Sequence, residues 1–101
     1  MHFYEAMLII DPNLDSESVE KVIDKFENLI KKHKGVVEKV DKWGRRKLAY
    51  PIKGRSDGVY AVFYFKVDTA LIRELDRILR ISDEVLRFQI VRRELASTSL
   101  P

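Results

Sequence analysis

The 101-residue chain carries 19 Lys and Arg against 16 Asp and Glu, a formal net charge of +3, and no Cys. Its length suits one domain that buries roughly 60–70% of the surface its unfolded chain exposes, and its apolar run at residues 6–10 falls far short of the roughly 20 residues that span a bilayer. Missing thiols exclude cysteine nucleophiles, cysteine metal sites and disulfides, fit a reducing compartment with cytoplasm as the default, and the opening Met1-His2-Phe3 is no secretory signal.

Residues 3–10 form an apolar run without helical spacing, ended by Asp11-Pro12-Asn13, and predict a buried strand and a turn. From residue 15 the apolar positions are Val19, Val22, Ile23, Phe26, Leu29 and Ile30, a helical stripe with Asp15 or Ser16 as N-cap and Gly35 just past its end. Residues 36–40 return to β-branched side chains. After Trp43-Gly44, residues 47–52 alternate and place Leu48, Tyr50 and Ile52 on one, inward face, while Pro51 confines that strand to an edge or a bulge.

A turn cluster at residues 54–58 precedes residues 59–67, so apolar and aromatic that both faces of this strand must be partly covered. Thr69 or Asp68 then caps a second helix with Leu71, Leu75, Ile78 and Leu79 on its apolar side, ending near Ser82 and Asp83. Residues 85–92 close the order as an edge strand in which Phe88 and Ile90 alternate with Arg87 and Gln89. We expect one domain over residues 1–96 and a polar, mobile tail over 97–101.

The order strand, helix, strand, strand, helix, strand predicts an α+β ferredoxin-like βαββαβ fold, a four-stranded antiparallel sheet with two helices on one face and the first and third strands central. Glu5 and Lys66 should avoid the core, and their phase carries Phe3, Met7, Ile9, Tyr60, Val62, Tyr64 and Val91 to the face without helices. A contiguous apolar set there predicts a surface that another molecule covers.

Between Lys42 and Arg55 stand six cations, with aromatics among them and no acid. Such a stripe attracts polyanions by counterion release, and nearby rings offer flat surfaces to bases, so nucleic acid is the leading partner. The competing reading is a solvated edge strand whose cations deter edge-to-edge aggregation. An RNA recognition motif fits poorly, because Val59 stands where glycine is expected and Val62 where an aromatic would stack. Catalysis has no constellation: His2 lies near a terminus and His33 at a helix end, no metal cluster is visible, and the acidic Asp11-Pro12-Asn13 turn would repel the phosphate that acylphosphatases of this topology cradle there. Asp15, Glu17, Glu20, Asp24 and Glu27 read as solvated or dipole-favoured helix residues.

The segment Gly44-Arg45-Arg46-Lys47-Leu48-Ala49-Tyr50-Pro51-Ile52-Lys53 resembles the signature of the ribosomal protein S6 family of the bacterial small subunit. Tyr4-Glu5, Asp11-Pro12-Asn13-Leu14, Val37-Glu38-Lys39-Val40 and Gly58 are similar to that family in order and spacing, so the likeness spans essentially the whole domain. It implies a ferredoxin-like fold, no enzymatic activity, pairing with ribosomal protein S18, and binding of that pair to the central domain of small-subunit ribosomal RNA on the platform. Many members carry an acidic tail extension that residues 97–101 do not supply.

Arg45, Arg46, Lys47 and Lys53 are the expected RNA contacts, with His2, Phe3, Arg87, Arg92 and Arg93 as a second group. Met7, Ile9, Tyr60, Val62, Tyr64 and Val91 are the expected partner contacts. The expectation is a structural ribosomal protein, cytoplasmic in the small subunit and monomeric when isolated, with no cofactor, metal, membrane or small-molecule substrate. The alternative is a self-associating ferredoxin-like module that does not bind RNA.

Overall fold

The computed structural model describes residues 1–93, and the expected tail and domain end lie outside the described residues. The elements are β1 (His2–Ile10), α1 (Ser16–Lys32), β2 (Val36–Ile52), β3 (Arg55–Val67), α2 (Ala70–Arg80) and β4 (Val85–Arg93). One antiparallel sheet in the order β2-β3-β1-β4 places β3 and β1 in the centre, as the ferredoxin-like reading requires.

Helix α1 begins where the Asp15 carboxylate accepts the Ser18 amide at 2.7 Å, satisfying one of the donors a helix start leaves free. It ends beyond His33, where the Gly35 amide donates to the Ile30 carbonyl at 2.9 Å. In α2 the capping oxygen comes from Asp68, which accepts the Ala70 amide at 3.1 Å. Thr69 makes no such bond, and its hydroxyl meets the Tyr4 hydroxyl at 3.0 Å instead, tying α2 to β1.

The main core lies between the helices and one sheet face. Tyr4, Ala6, Leu8 and Ile10 of β1 alternate inward beside Ala61, Phe63, Phe65 and Val67 of β3, beneath Val19, Ile23, Phe26 and Ile30 of α1 and Leu71, Leu75 and Leu79 of α2. Phe26 meets Phe63 edge-on at 4.7 Å, the geometry ring quadrupoles favour.

β2 departs most from the sequence expectation. The separate runs at 36–40 and 47–52 are one continuous strand, and the expected turn at 54–58 shrinks to a tight reversal before Arg55. Its register slips between Val37 and Lys39, between Lys42 and Gly44, and between Lys47 and Ile52. Each slip changes which face the following residues meet. Leu48 is therefore buried on the face opposite the helices, in a second small cluster with Ile9 and Leu86, rather than in the main core. Ile52 packs against that cluster, while Tyr50 is 56% exposed. Pro51 falls between the Lys47–Asp57 and Ile52–Arg55 pairs, where its missing amide interrupts no ladder bond.

Candidate nucleic-acid interface

The bulges of β2 distribute its cations over both faces of the sheet. Lys42 pairs with Ala61 on the helix side, and its ammonium lies 2.7 Å from Glu20 of α1. That carboxylate holds the Lys42 pKa above its ordinary value. Arg45, paired with Val59, donates to Asp57 at 2.7 Å and to the Pro12 carbonyl at 3.0 Å. Arg55 donates through two nitrogens to Asp11 at 3.0 and 3.4 Å. This guanidinium, with the Asn13 amide 2.9 Å from the same carboxylate, holds the Asp11 pKa below the usual range.

The expectation of a stripe without neutralising acids is thus corrected for three of its six members. Glu20, Asp11 and Asp57 are distant or just outside the stripe in sequence, and the fold brings them to Lys42, Arg55 and Arg45. Arg46, Lys47 and Lys53 meet no carboxylate among the described residues. Arg46 instead stands 5.5 Å from the centroid of the Trp43 ring.

The second group of cations lies on β4 and at the start of β1, in two places. Near the hairpin tip, Arg87 reaches the Tyr50 hydroxyl and ring. Arg87 and Lys53 also line a groove of about 690 Å³ with Arg73 and Arg80 of α2, floored by Ile72, Leu79, Phe88 and Ile90. At the opposite end of the sheet, Arg92 donates to His2 Nδ1 at 2.7 Å, and Arg93 stands beside Phe3 in the ladder, 3.9 Å from Glu5. The two groups do not form one patch. Arg73 and Arg80 were not singled out from sequence, because helical arginines at that spacing look like ordinary solvated positions.

The face opposite the helices carries Met7, Ile9, Tyr60, Val62, Tyr64 and Val91, as the phase of Glu5 and Lys66 predicts. It is not bare, however. Lys39 and Arg93 stand over Tyr64, Lys66 over Phe3, and Trp43 stacks on Tyr60. Val62 retains 1% exposure, Ile9 is buried beneath Leu48 and Leu86, and Val91 is the one member of the set that is openly exposed, at 46%. The sequence pattern assigned the face correctly but could not foresee how far the long cationic side chains lie down over it.

A model of the ribosomal protein S6 family matches residues 3–92. The small ribosomal subunit protein bS6 of Clostridium novyi (strain NT) is 49% identical over 94 residues, covering 93% of this chain and 99% of that protein. Its counterpart in Corynebacterium glutamicum is 48% identical over 92 residues, covering 91% and 97%. The crystal structure of 30S ribosomal protein S6 from Thermotoga maritima superposes with a TM-score of 0.91 at 35% identity, covering 97% of this chain and 92% of that one. The C-terminal domain of the MgtC protein from Mycobacterium tuberculosis, at 12% identity and a TM-score of 0.62, shares the fold alone. With nearly its whole described length matched and its fold shared with a relative at 35% identity, the chain belongs to the ribosomal protein S6 family.

Proposed function

We propose that the chain binds small-subunit ribosomal RNA, in the central domain on the platform, jointly with ribosomal protein S18. As a member of a family whose curated relatives are small-subunit proteins, it is a structural constituent of the small ribosomal subunit and not an enzyme, and it works in the cytoplasm within that particle. The observation that carries the RNA reading is the outer part of β2, where Arg46 and Lys47 have no carboxylate partner among the described residues and Arg46 stands over an exposed indole.

Arg46, Lys47 and Lys53 neutralise phosphates directly. Arg45 does so by exchanging Asp57 for a phosphate, and His2, Phe3, Arg87, Arg92 and Arg93 extend the contact along β1 and β4. Such contacts fix register on a folded RNA through phosphate and shape rather than through linear sequence. S18 covers the face opposite the helices, beside that indole, at Met7, Tyr60, Tyr64 and Val91, with Val62 and Ile9 supporting them from beneath.

A titration of labelled central-domain RNA with the chain, with and without S18, at several salt concentrations tests this. Joint binding that is tighter than either protein alone and weakens with salt is the expected result. A tight homodimer that ignores both RNA and S18 would replace the proposal with the self-associating module.

A further inference from the structure

Trp43 occupies an unusual position in β2. Lys42 pairs with Ala61 and Gly44 with Tyr60, so Trp43 lies between consecutive rungs and has no partner in the ladder. The bulge depends on Gly44, whose φ of +81° is a conformation that residues with a β-carbon rarely adopt. Gly44 also leaves Tyr60 without a side chain opposite it, and nothing lies within 4 Å of where a Gly44 β-carbon would stand. The indole settles beside Tyr60 with ring centroids 6.0 Å apart and planes 9° from parallel.

Packing on Tyr60 accounts for one part of the indole and leaves Trp43 40% exposed. Over that ring stands the Arg46 guanidinium, held by cation–π attraction rather than by a carboxylate. Lys47, the ladder partner of Asp57, belongs to the other face, and the nearby acid on this face, Asp41, is engaged by Lys39 at 4.0 Å. An open aromatic surface edged by a cation without a carboxylate partner matches one occupant chemically, a nucleotide, whose base stacks and whose phosphate takes the cation. A base within a duplex has both faces covered by its neighbours, so the occupant must be unpaired.

We infer that Trp43 is a stacking platform for an unpaired nucleotide of the bound RNA, with Arg46 moving from the indole to that nucleotide's phosphate. The inference rests on the RNA-binding reading and adds a residue and a kind of nucleotide to it. Tyr60 backs the indole, and the bulge sets its tilt. A stacked base replaces the cation–π contact, so the guanidinium gains its phosphate without leaving a carboxylate unpaired.

Trp43 is the sole tryptophan of the chain, so its emission reports on this site alone. The probes are a 12-nucleotide oligoadenylate and an RNA duplex of the same length, with affinity read at low salt from the anisotropy of labelled strands and Trp43 emission read with unlabelled ones. We expect saturable quenching by the single strand and little by the duplex. Trp43→Leu is expected to weaken single-strand binding by roughly 5- to 150-fold while sparing the duplex, and Trp43→Phe to retain most of the affinity. Thermal unfolding of both variants checks that the strand is intact.

RNA that binds without quenching, or a Trp43→Leu loss equal for single strand and duplex, overturns the platform and leaves RNA binding standing. Failure of every RNA to bind, with or without S18, removes the RNA reading itself. An emission change produced by S18 without RNA assigns the indole to a protein contact and likewise overturns the inference.

Discussion

Gly58 of β3 packs so closely on Ile9 of β1 that a β-carbon at Gly58 would overlap the Ile9 Cγ2 methyl. Leu48 Cδ2 stands on the same site, 3.8 Å from that β-carbon position, so the glycine lets the second apolar cluster close. Gly58 is also the ladder partner of Arg46. A branched methyl group cannot swing aside as a long side chain can. Gly58→Ala is therefore expected to lower stability by about 1–3 kcal/mol through overpacking, seen as a lower urea midpoint with an unchanged slope. Because β2 must shift with β3, RNA affinity should fall as well.

The ion-pair arrangement separates two arginines that are adjacent in sequence. Arg46→Ala should reduce the magnitude of the salt slope of RNA binding by about 0.7–0.9, one phosphate's worth of counterion release. Arg45→Ala should reduce it less, because Arg45 is already neutralised by Asp57 and must leave that carboxylate to reach a phosphate. Asp57→Asn frees the guanidinium and should raise affinity. Equal slopes for the two alanine variants would show that the Arg45–Asp57 pair does not persist in solution.

Much of this architecture is legible in the chain. The alternation of Tyr4, Ala6, Leu8 and Ile10, the Val19-Ile23-Phe26-Ile30 stripe and the density of β3 arise from local periodicity, and periodicity dictates which side is buried. The faces of β2 are not legible, because a bulge adds one residue and reverses the phase of everything beyond it. Leu48 thus reads as a main-core residue and packs elsewhere. Gly44 signals a positive φ, yet whether it makes a turn or a bulge depends on β3 running alongside. The ion pairs are hidden for a different reason: Asp11 and Arg55 are 44 residues apart and meet through the fold alone.

That pair also sets a pH dependence. Arg55 and the Asn13 amide favour the ionised Asp11 carboxylate, so its folded pKa lies below its unfolded value of about 3.9. The unfolded chain accordingly takes up the proton first as pH falls. The resulting stabilisation is complete above the unfolded pKa and is lost as pH drops through the folded one. Asp11→Asn should lower the urea midpoint at pH 7, and the difference from the parent should shrink progressively below about pH 4. A difference that stays constant down to pH 2 would mean that Asp11 acts through shape rather than charge.

Val62 and Val91 lie on the same sheet face and should respond oppositely to a carboxylate. Val62 has 1% of its surface exposed, so Val62→Asp buries a charge with no partner and should cost more than about 3 kcal/mol, enough to lose native circular dichroism under mild denaturation. A pairing defect in that variant would therefore reflect unfolding as much as contact. Val91, at 46% exposure, accepts a charge in water, and Val91→Asp should change stability by no more than about 0.5 kcal/mol. Loss of S18 pairing by a natively folded Val91→Asp places the partner on this face. Pairing at full strength would mean that the rings and cations lying over the sheet already complete its cover, and that S18 docks elsewhere on the molecule.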